Sequence, residues 1–327
     1  LAQAIRGVFP QEKNFDFSVE IDPTMVDQSK ITALACEGMT RASIGIQDFD
    51  AEVQAAIGRA QPFEVTRTCV EDLRAVGISS LNADLIYGLP HQTRARIEDT
   101  IDKVLTFAPE RVAIFGYAHV PWVSKRQKLI DEDTLPDDLT RYTLATLAGR
   151  RFIDSGFAAI GIDHFARPGD DLETSLRTGQ LRRNFQGYTA DTCRTLIGIG
   201  ASSISRFPGG YVQNAPATAV YQKCIFTRNF PGSRGYKLTV EDQLRARAIE
   251  QLMCEFTLDL DALTIDFGSQ VAALAPLLTD MAKHFARYVK FDGTQLQIVP
   301  EGRPLTRIIA SFLDQHVPEG ARYSRVS

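Results

Sequence analysis

The sequence predicts an α/β protein: a partial (β/α) barrel of parallel strands, followed by a small C-terminal α+β domain of winged-helix-like character. Three observations carry this. A helical pattern that closes on glycine and feeds a strand recurs as ACEGMTRASIGI, RAVGISSLNADLI and IDSGFAAIGI, where Gly38, Gly77 and Gly156 supply a left-handed turn that a side chain resists. Four strand-like runs, at 15–22, 41–47, 80–88 and 111–118, alternate with helical patterns, which implies parallel strands joined by helical crossovers. From residue 238 the pattern changes to helices and a short strand pair turned by Asp292-Gly293. The expected division is 1–235 for the barrel with its extension and 236–327 for the C-terminal domain.

Taken in order, LAQAIRGVF reads as the end of a helix, without the basic start and apolar centre of a leader. In FDFSVEID, Phe15, Phe17, Val19 and Ile21 share one strand face, and Ser18, Glu20 and Asp22 the other. Asp22, before Pro23, reads as a helix N-cap. Ile44 and Ile46 oppose Ser43, Gly45 and Gln47, while Ala83, Leu85 and Tyr87 oppose Asn82 and Asp84. The apolar faces should meet helices, leaving small and polar residues inside the barrel. Ile97, Ile101, Val104, Leu105 and Ala108 keep helical spacing up to Pro109, after which RVAIFGYA is a strand. A helix from 138 to 154, a strand through GFAAIGIDHFA and a loop-rich stretch to 235, expected across the barrel mouth, follow. Helices at 239–255 and 260–285 precede the hairpin, and a last helix aligns Leu305, Ile308, Ile309, Phe312 and Leu313 on one face. Four parallel strands are too few to close a barrel, so further βα units are expected upstream.

With 327 residues, 44% hydrophobic and 23% charged, the chain can bury a sizeable core. Its 36 Lys and Arg against 40 Asp and Glu leave a net charge of -4, which offers no electrostatic footprint for nucleic acid or an anionic membrane. The longest apolar run, around 272–278, is broken by Pro276, so no membrane span is expected. Cysteines at 36, 69, 193, 224 and 254 match no disulfide or zinc spacing and read as reduced thiols of a cytoplasmic protein.

A polar barrel interior near strand C-termini points to a ligand cavity, since closed barrels otherwise fill that space with Val, Ile and Leu. The alternative is that Glu20, Gln47 and Asp84 form a satisfied buried network with no ligand. GIGASSIS at 198–205 lacks the full glycine spacing of a phosphate loop and reads better as a strand packed closely on a neighbour. His119 and His164, each just after a strand-like run, are the two histidines that fall near the cavity, with satisfied core or rim histidines as the default reading and a functional role as the alternative. In LRRNFQGYT, Arg182 and Arg183 beside Phe185, Gln186 and Tyr188 suit a flat ring with carboxylates, or equally a surface loop anchored by Phe185.

Through SVEIDP, RASIGIQDFD, NADLIYGLPHQT, FGYAHVPW, GIDHFARP, RNFQGYT and YSRVS, the chain resembles the oxygen-independent coproporphyrinogen III oxidases, or dehydrogenases, radical S-adenosylmethionine (SAM) enzymes of heme biosynthesis. The resemblance implies a radical-SAM-type barrel and a [4Fe-4S] cluster that cleaves SAM reductively to a 5′-deoxyadenosyl radical. Two propionates of coproporphyrinogen III then become vinyl groups, giving protoporphyrinogen IX. It further implies that Glu20 contacts the SAM on the cluster with Ile204 packing nearby, that Gln47, Arg59, Asp84 and Ala118 serve a second SAM, and that Phe185 and Gln186 line the pocket. Arg167, Arg182 or Arg183 is expected to pair substrate carboxylates, because four propionates need local positive charge on an acidic protein. Expected partners are coproporphyrinogen III and an electron donor and acceptor that the sequence does not identify, with no nucleic acid and no membrane; a monomer is expected.

The family's CxxxCxxC loop and glycine-rich SAM strand belong upstream, and no two of the five cysteines lie closer than 30 residues. The chain alone is therefore expected to hold no cluster and to be inactive. Two other readings fit the sequence less well: a heme chaperone, which GIDHFARP and RNFQGYT oppose, and a DNA-binding regulator, which Asp259, Asp261, Asp266 and Asp280 oppose.

Overall fold

The computed structural model describes residues 1–13 and 15–316. The closing YSRVS lies outside them. The chain divides into two compact units, one over Leu1–Thr174 and one from Ser175 to the end of the described residues. The sequence-based boundary at 235 thus falls inside the second unit. Residues 175–235 group with the C-terminal part.

The first unit is built on one six-stranded sheet. Its strands are β1 (Ser18–Ile21), β2 (Arg41–Gln47), β3 (Ser80–Tyr87), β4 (Arg111–Gly116), β5 (Ala158–Ile160) and β6 (His164–Ala166), in the order β1-β2-β3-β4-β6-β5. The first four are parallel, as the alternation of strands and helices requires, and the sheet is open among the described residues. GFAAIGIDHFA, expected as one strand, forms two, because the chain reverses at Gly161 (φ 56°) so that β5 and β6 pair antiparallel. The three glycine stops hold, with φ of 86° at Gly38, 90° at Gly77 and 85° at Gly156.

Helices Gln28–Cys36, Phe63–Ala75, Arg94–Thr106 and Asp138–Asp154 supply the other layer. Their apolar stripes, among them Leu73, Ile97, Ile101, Val104 and Phe152, bury against Ile44, Leu81, Leu85 and Val112 of the sheet. Each large side chain so buried contributes on the order of 1.5–3 kcal/mol. Asp22 does not cap a helix. Its Oδ1 accepts from Thr24 N in a turn through Pro23, and the helix starts later, where Asp27 accepts from Lys30 N. The proline displaces the helix because it disfavours helical backbone at the residue before it.

The second unit opens with the hairpin β7 (Arg182–Asn184) and β8 (Gly187–Thr189). The stretch expected to be loop-rich contains an antiparallel sheet of β9 (Ile204–Phe207), β10 (Gly210–Asn214) and β11 (Gly232–Lys237), with helix Thr218–Phe226 between the last two. Glycines and serines, poor strand formers by propensity, hid these strands; here they permit close approach, since a Cβ on Gly235 would come within 2.9 Å of the Tyr211 carbonyl oxygen. Helix Val240–Glu255 follows behind a capping box of Thr239 and Asp242, and β12 (Thr257–Asp259), β13 (Val289–Phe291) and β14 (Gln295–Ile298) form a third sheet.

The segment expected as one helix over 260–285 breaks into Leu260–Phe267, a 3-10 turn Gly268–Ala273 and Leu274–His284, with Gly268 at φ 57°. By length and composition Leu260–His284 would suffice to cross a membrane, which corrects the expectation that no such stretch exists. Its interruption argues against a single span: Leu263, Leu274, Leu278 and Met281 are buried within the unit, while Asp261, Asp266 and Asp280 face outward. The last helix, Thr306–Ser311, is shorter than expected; Ile309 and Leu313 are buried, but Ile308 is 48% exposed.

Candidate functional site

Period-two alternation in parallel strands of matched register aligns the polar positions of neighbouring strands on one face. Glu20 pairs in register with Ser43, and Ser43 with Asn82, with Asp84 two residues further along β3. The Ser43 hydroxyl donates to Asp84 Oδ2 at 2.9 Å, and Asn82 Nδ2 donates to Ser43 Oγ at 3.0 Å and to Asp84 Oδ1 at 2.8 Å. Glu20 lies beside Ser43 in the same cross-strand row. Two carboxylates therefore flank one serine. Burial raises the Glu20 carboxyl, the nearby Ser43 hydroxyl opposes the rise, and the Asp84 charge adds to it. Burial likewise raises Asp84, opposed by hydrogen bonds from Ser43 and Asn82 and by His164. Asn82 Oδ1 is buried without a partner. A face of acceptors poor in donors fits a ligand that brings its own donors and positive charge, as the diol, ammonium and sulfonium of SAM do.

Gln47 and Arg59 meet at the end of β2. Gln47 sits at φ 69° where the β2–β3 register shifts, and Gly45 lies beneath it: a Cβ there would be 3.0 Å from Gln47 Nε2 and 3.4 Å from Arg59. Arg59 donates to the Gly45 carbonyl at 2.8 Å and to Gln61 Oε1 at 2.9 Å, and lies 3.6 Å from Asp22. Gln61, fully buried, is itself fixed by Gln54, Thr66 and Gly45. Asp48, next to Gln47, is locked by Gln92, Thr100 and the Asp50 amide. Ala118 follows β4, and its carbonyl accepts from Gln127.

Of the two histidines, His164 Nδ1 lies 2.6 Å from Asp163, and its ring stands edge-on to Phe115, with an electrostatic influence on Asp84. His119 bridges Tyr117 and Glu132. Arg167 lies over the Phe157 ring at 4.0 Å and donates to the Ser155 carbonyl, and so serves as a packing element of its own loop.

The remaining candidates lie on the second unit. Phe185 and Gln186 form the β7–β8 turn, with Phe185 53% exposed. Arg182 donates to the Leu181 carbonyl, and Arg183 lies over Tyr188 at 5.5 Å. Ile204 begins β9 and, with Phe185, lines a cavity of about 230 Å³. The weak glycine motif before it is a tight turn in which Asn214 Nδ2 donates to the Gly198 and Gly200 carbonyls.

Ser43, Asn82, Gln61 and Asp48 were not singled out by sequence. For Ser43 and Asn82 the signal was present, because they share the alternation of Glu20 and Asp84; for Gln61 and Asp48 nothing local marks them.

Comparison with known proteins identifies the fold. The radical SAM superfamily model matches residues 1–104. An oxygen-independent coproporphyrinogen III oxidase of Cereibacter sphaeroides is 58% identical over 328 residues, spanning the whole chain and 73% of that protein. The chain belongs to the oxygen-independent coproporphyrinogen III oxidase family. Another member, from Paracoccus denitrificans, is 49% identical over 96% of the chain and 70% of its own length. The structure of the Escherichia coli coproporphyrinogen III oxidase, described as a radical SAM enzyme, superposes with a TM-score of 0.92 at 32% identity over 97% of this chain and 73% of that one. The family brings SAM and a [4Fe-4S] cluster as cofactors. The thiols of this chain do not fit the cluster. Cys69 and Cys254 are buried, with burial pushing them up to about 11 and about 12, and no group of metal-binding side chains occurs among the described residues.

Proposed function

We propose that this chain carries the SAM-binding and substrate-binding parts of an enzyme that converts two propionates of coproporphyrinogen III to vinyl groups without oxygen, giving protoporphyrinogen IX. The observation that carries the reading is 58% identity, over the full length of the chain, to a protein of that name. Each propionate loses CO2, one hydrogen atom and one electron. Bound SAM supplies the hydrogen-abstracting radical. The residues of this chain bind and orient: Glu20 and Asp84, on either side of Ser43, accept hydrogen bonds from the cofactor, and Arg59 and Gln47 close the end of the same face. Ala118, just after β4, and Ile204 are the remaining cofactor-binding residues of this reading. Phe185 and Gln186 take the substrate side, with Arg182 and Arg183 in reach of carboxylates. Arg167, engaged with Phe157 and Ser155, is the least available of the three arginines. A cytoplasmic monomer that draws on separate electron donor and acceptor partners accompanies this reading.

The test is CO2 release from coproporphyrinogen III by the complete gene product, reconstituted anaerobically with iron, sulfide, SAM and a reductant. Two CO2 per protoporphyrinogen IX is the expected result. Cluster formation and SAM cleavage with no CO2 would overturn the reading and leave a heme-handling protein in its place.

A further inference from the structure

One face of the β9–β10–β11 sheet gathers Ile204 with Tyr211, Gln213, Arg234 and Tyr236, of which the last four lie in none of the sequence motifs. Antiparallel register sets Gln213 opposite both Ile204 and Arg234, and Tyr211 opposite Tyr236. Alternation then places all five side chains on the same side of the sheet. Phe185 closes the end, its ring 5.5 Å from that of Tyr211 in an edge-on arrangement, and the six residues line the cavity of about 230 Å³. Bare glycine backbone keeps the strands close, since a Cβ on Gly235 would collide with the Tyr211 carbonyl.

Two features separate this face from an ordinary sheet surface. Phe185 and Tyr236 are 53% and 45% exposed around the same cavity, an adjoining aromatic patch of the kind that marks a ligand-binding surface. Arg234 is held but not neutralised: its Nε donates to Gln213 Oε1 at 2.6 Å, Gln213 is anchored to the Ser202 carbonyl, and no carboxylate pairs with the guanidinium among the described residues. Tyr236 is oriented from behind, its hydroxyl donating to Asp242 at 3.3 Å. Aromatic walls with a preset, uncompensated guanidinium fork suit a flat pyrrolic ring that carries a carboxylate.

We infer that Tyr211, Tyr236 and Arg234 form a substrate subsite, Arg234 taking a propionate carboxylate of the tetrapyrrole while the tyrosines cover an adjacent ring. This rests on the proposed function and deepens it. It adds a preset guanidinium to the arginines that the sequence assigned to the carboxylates, Arg167, Arg182 and Arg183. Gln213 is the positioning residue for Arg234.

The test uses the complete protein and two fluorescent probes, coproporphyrin III, which keeps all four propionates, and its tetramethyl ester. The R234Q variant is expected to bind the acid about tenfold more weakly than the parent. Affinity for the ester and for SAM should be the same in both. A parent that releases CO2 from coproporphyrinogen III while R234Q binds the acid as tightly as the parent overturns the subsite and leaves the function standing. A parent that neither binds coproporphyrin III nor releases CO2 overturns both.

Discussion

Two carboxylates that flank one serine in a donor-poor setting are stabilising for a ligand and costly for the empty protein. Asp84 is raised by burial, so the folded state holds its proton more tightly than the unfolded chain does. Its contribution to stability is therefore fullest at low pH and is lost as pH rises through the folded-state value. Asp84→Asn should raise the ligand-free melting temperature by about 2–4 °C at pH 8, and by less at pH 5. It should also weaken SAM binding. A variant that melts below the parent at pH 8 would refute this account. For Glu20→Ala the expectation is a loss of SAM affinity of about tenfold, read by equilibrium binding on the complete protein; equal affinity in mutant and parent would remove Glu20 from the site. Alternation alone was enough to set Glu20 and Asp84 on one face. It could not find the bonds of Ser43 and Asn82 between them, because those depend on which residues of adjacent strands come into register. Gln61 and Asp48 were illegible for a simpler reason: each acts through partners that only the folded loops bring near.

Strands and helices repeat the lesson at larger size. Runs with strong periodicity, such as Leu81 to Tyr87 and Ile97 to Val104, formed the expected elements, because burial of an apolar face decides both. Short strands rich in glycine, as in β10 and β11, carry no such face and are held by pairing, which local sequence does not display. The end of β2 shows what a glycine does within a legible strand. Gly45→Ala places a methyl group against Gln47 Nε2 and Arg59, both flexible ends that can move aside, so stability should change little while the site loses its arrangement. SAM affinity about fivefold weaker, with melting within about 2 °C of the parent, is the expected pair of results; unchanged affinity would show that Gln47 and Arg59 need no such fit. Helix Val240–Glu255 offers a test with the opposite pH sign. Asp242 at its start is held well below the carboxylate range by His316 first and then by the Thr239 amide and hydroxyl. A depressed carboxyl contributes above its ordinary pKa of about 4, and that contribution is lost as pH falls through the folded-state value. Asp242→Asn should thus destabilise the second unit at pH 7, with the gap to the parent closing on acidification. A gap that stays constant from pH 7 to pH 3 would rule this out.

Over the whole molecule, the candidate ligand-handling groups are distributed on two units that differ in architecture, one a mixed α/β sheet whose first four strands are parallel and the other three small antiparallel sheets with helices. The parallel order was visible in the sequence because crossovers demand helices between strands. The 174/175 division was not, since the hairpin and sheet that shift it are the glycine-rich strands described above. The thiols are distributed differently from the ligand groups: Cys36 and Cys193 are exposed, Cys69 and Cys254 are buried and raised to about 11 and about 12, and none has a second thiol beside it. A maleimide should therefore modify Cys36 and Cys193 rapidly in the native protein, and Cys69 and Cys254 only after unfolding, as peptide mass mapping would show. For the same reason residues 1–327 by themselves, treated anaerobically with iron and sulfide, should acquire no stable cluster and release no CO2 from coproporphyrinogen III, whereas SAM binding should persist in weakened form and remain sensitive to Glu20→Ala. Incorporation of about four iron atoms per chain with cluster absorbance would contradict the thiol geometry. Loss of SAM binding altogether would contradict the assignment of the polar sheet face as a site that recognises the cofactor in its own right.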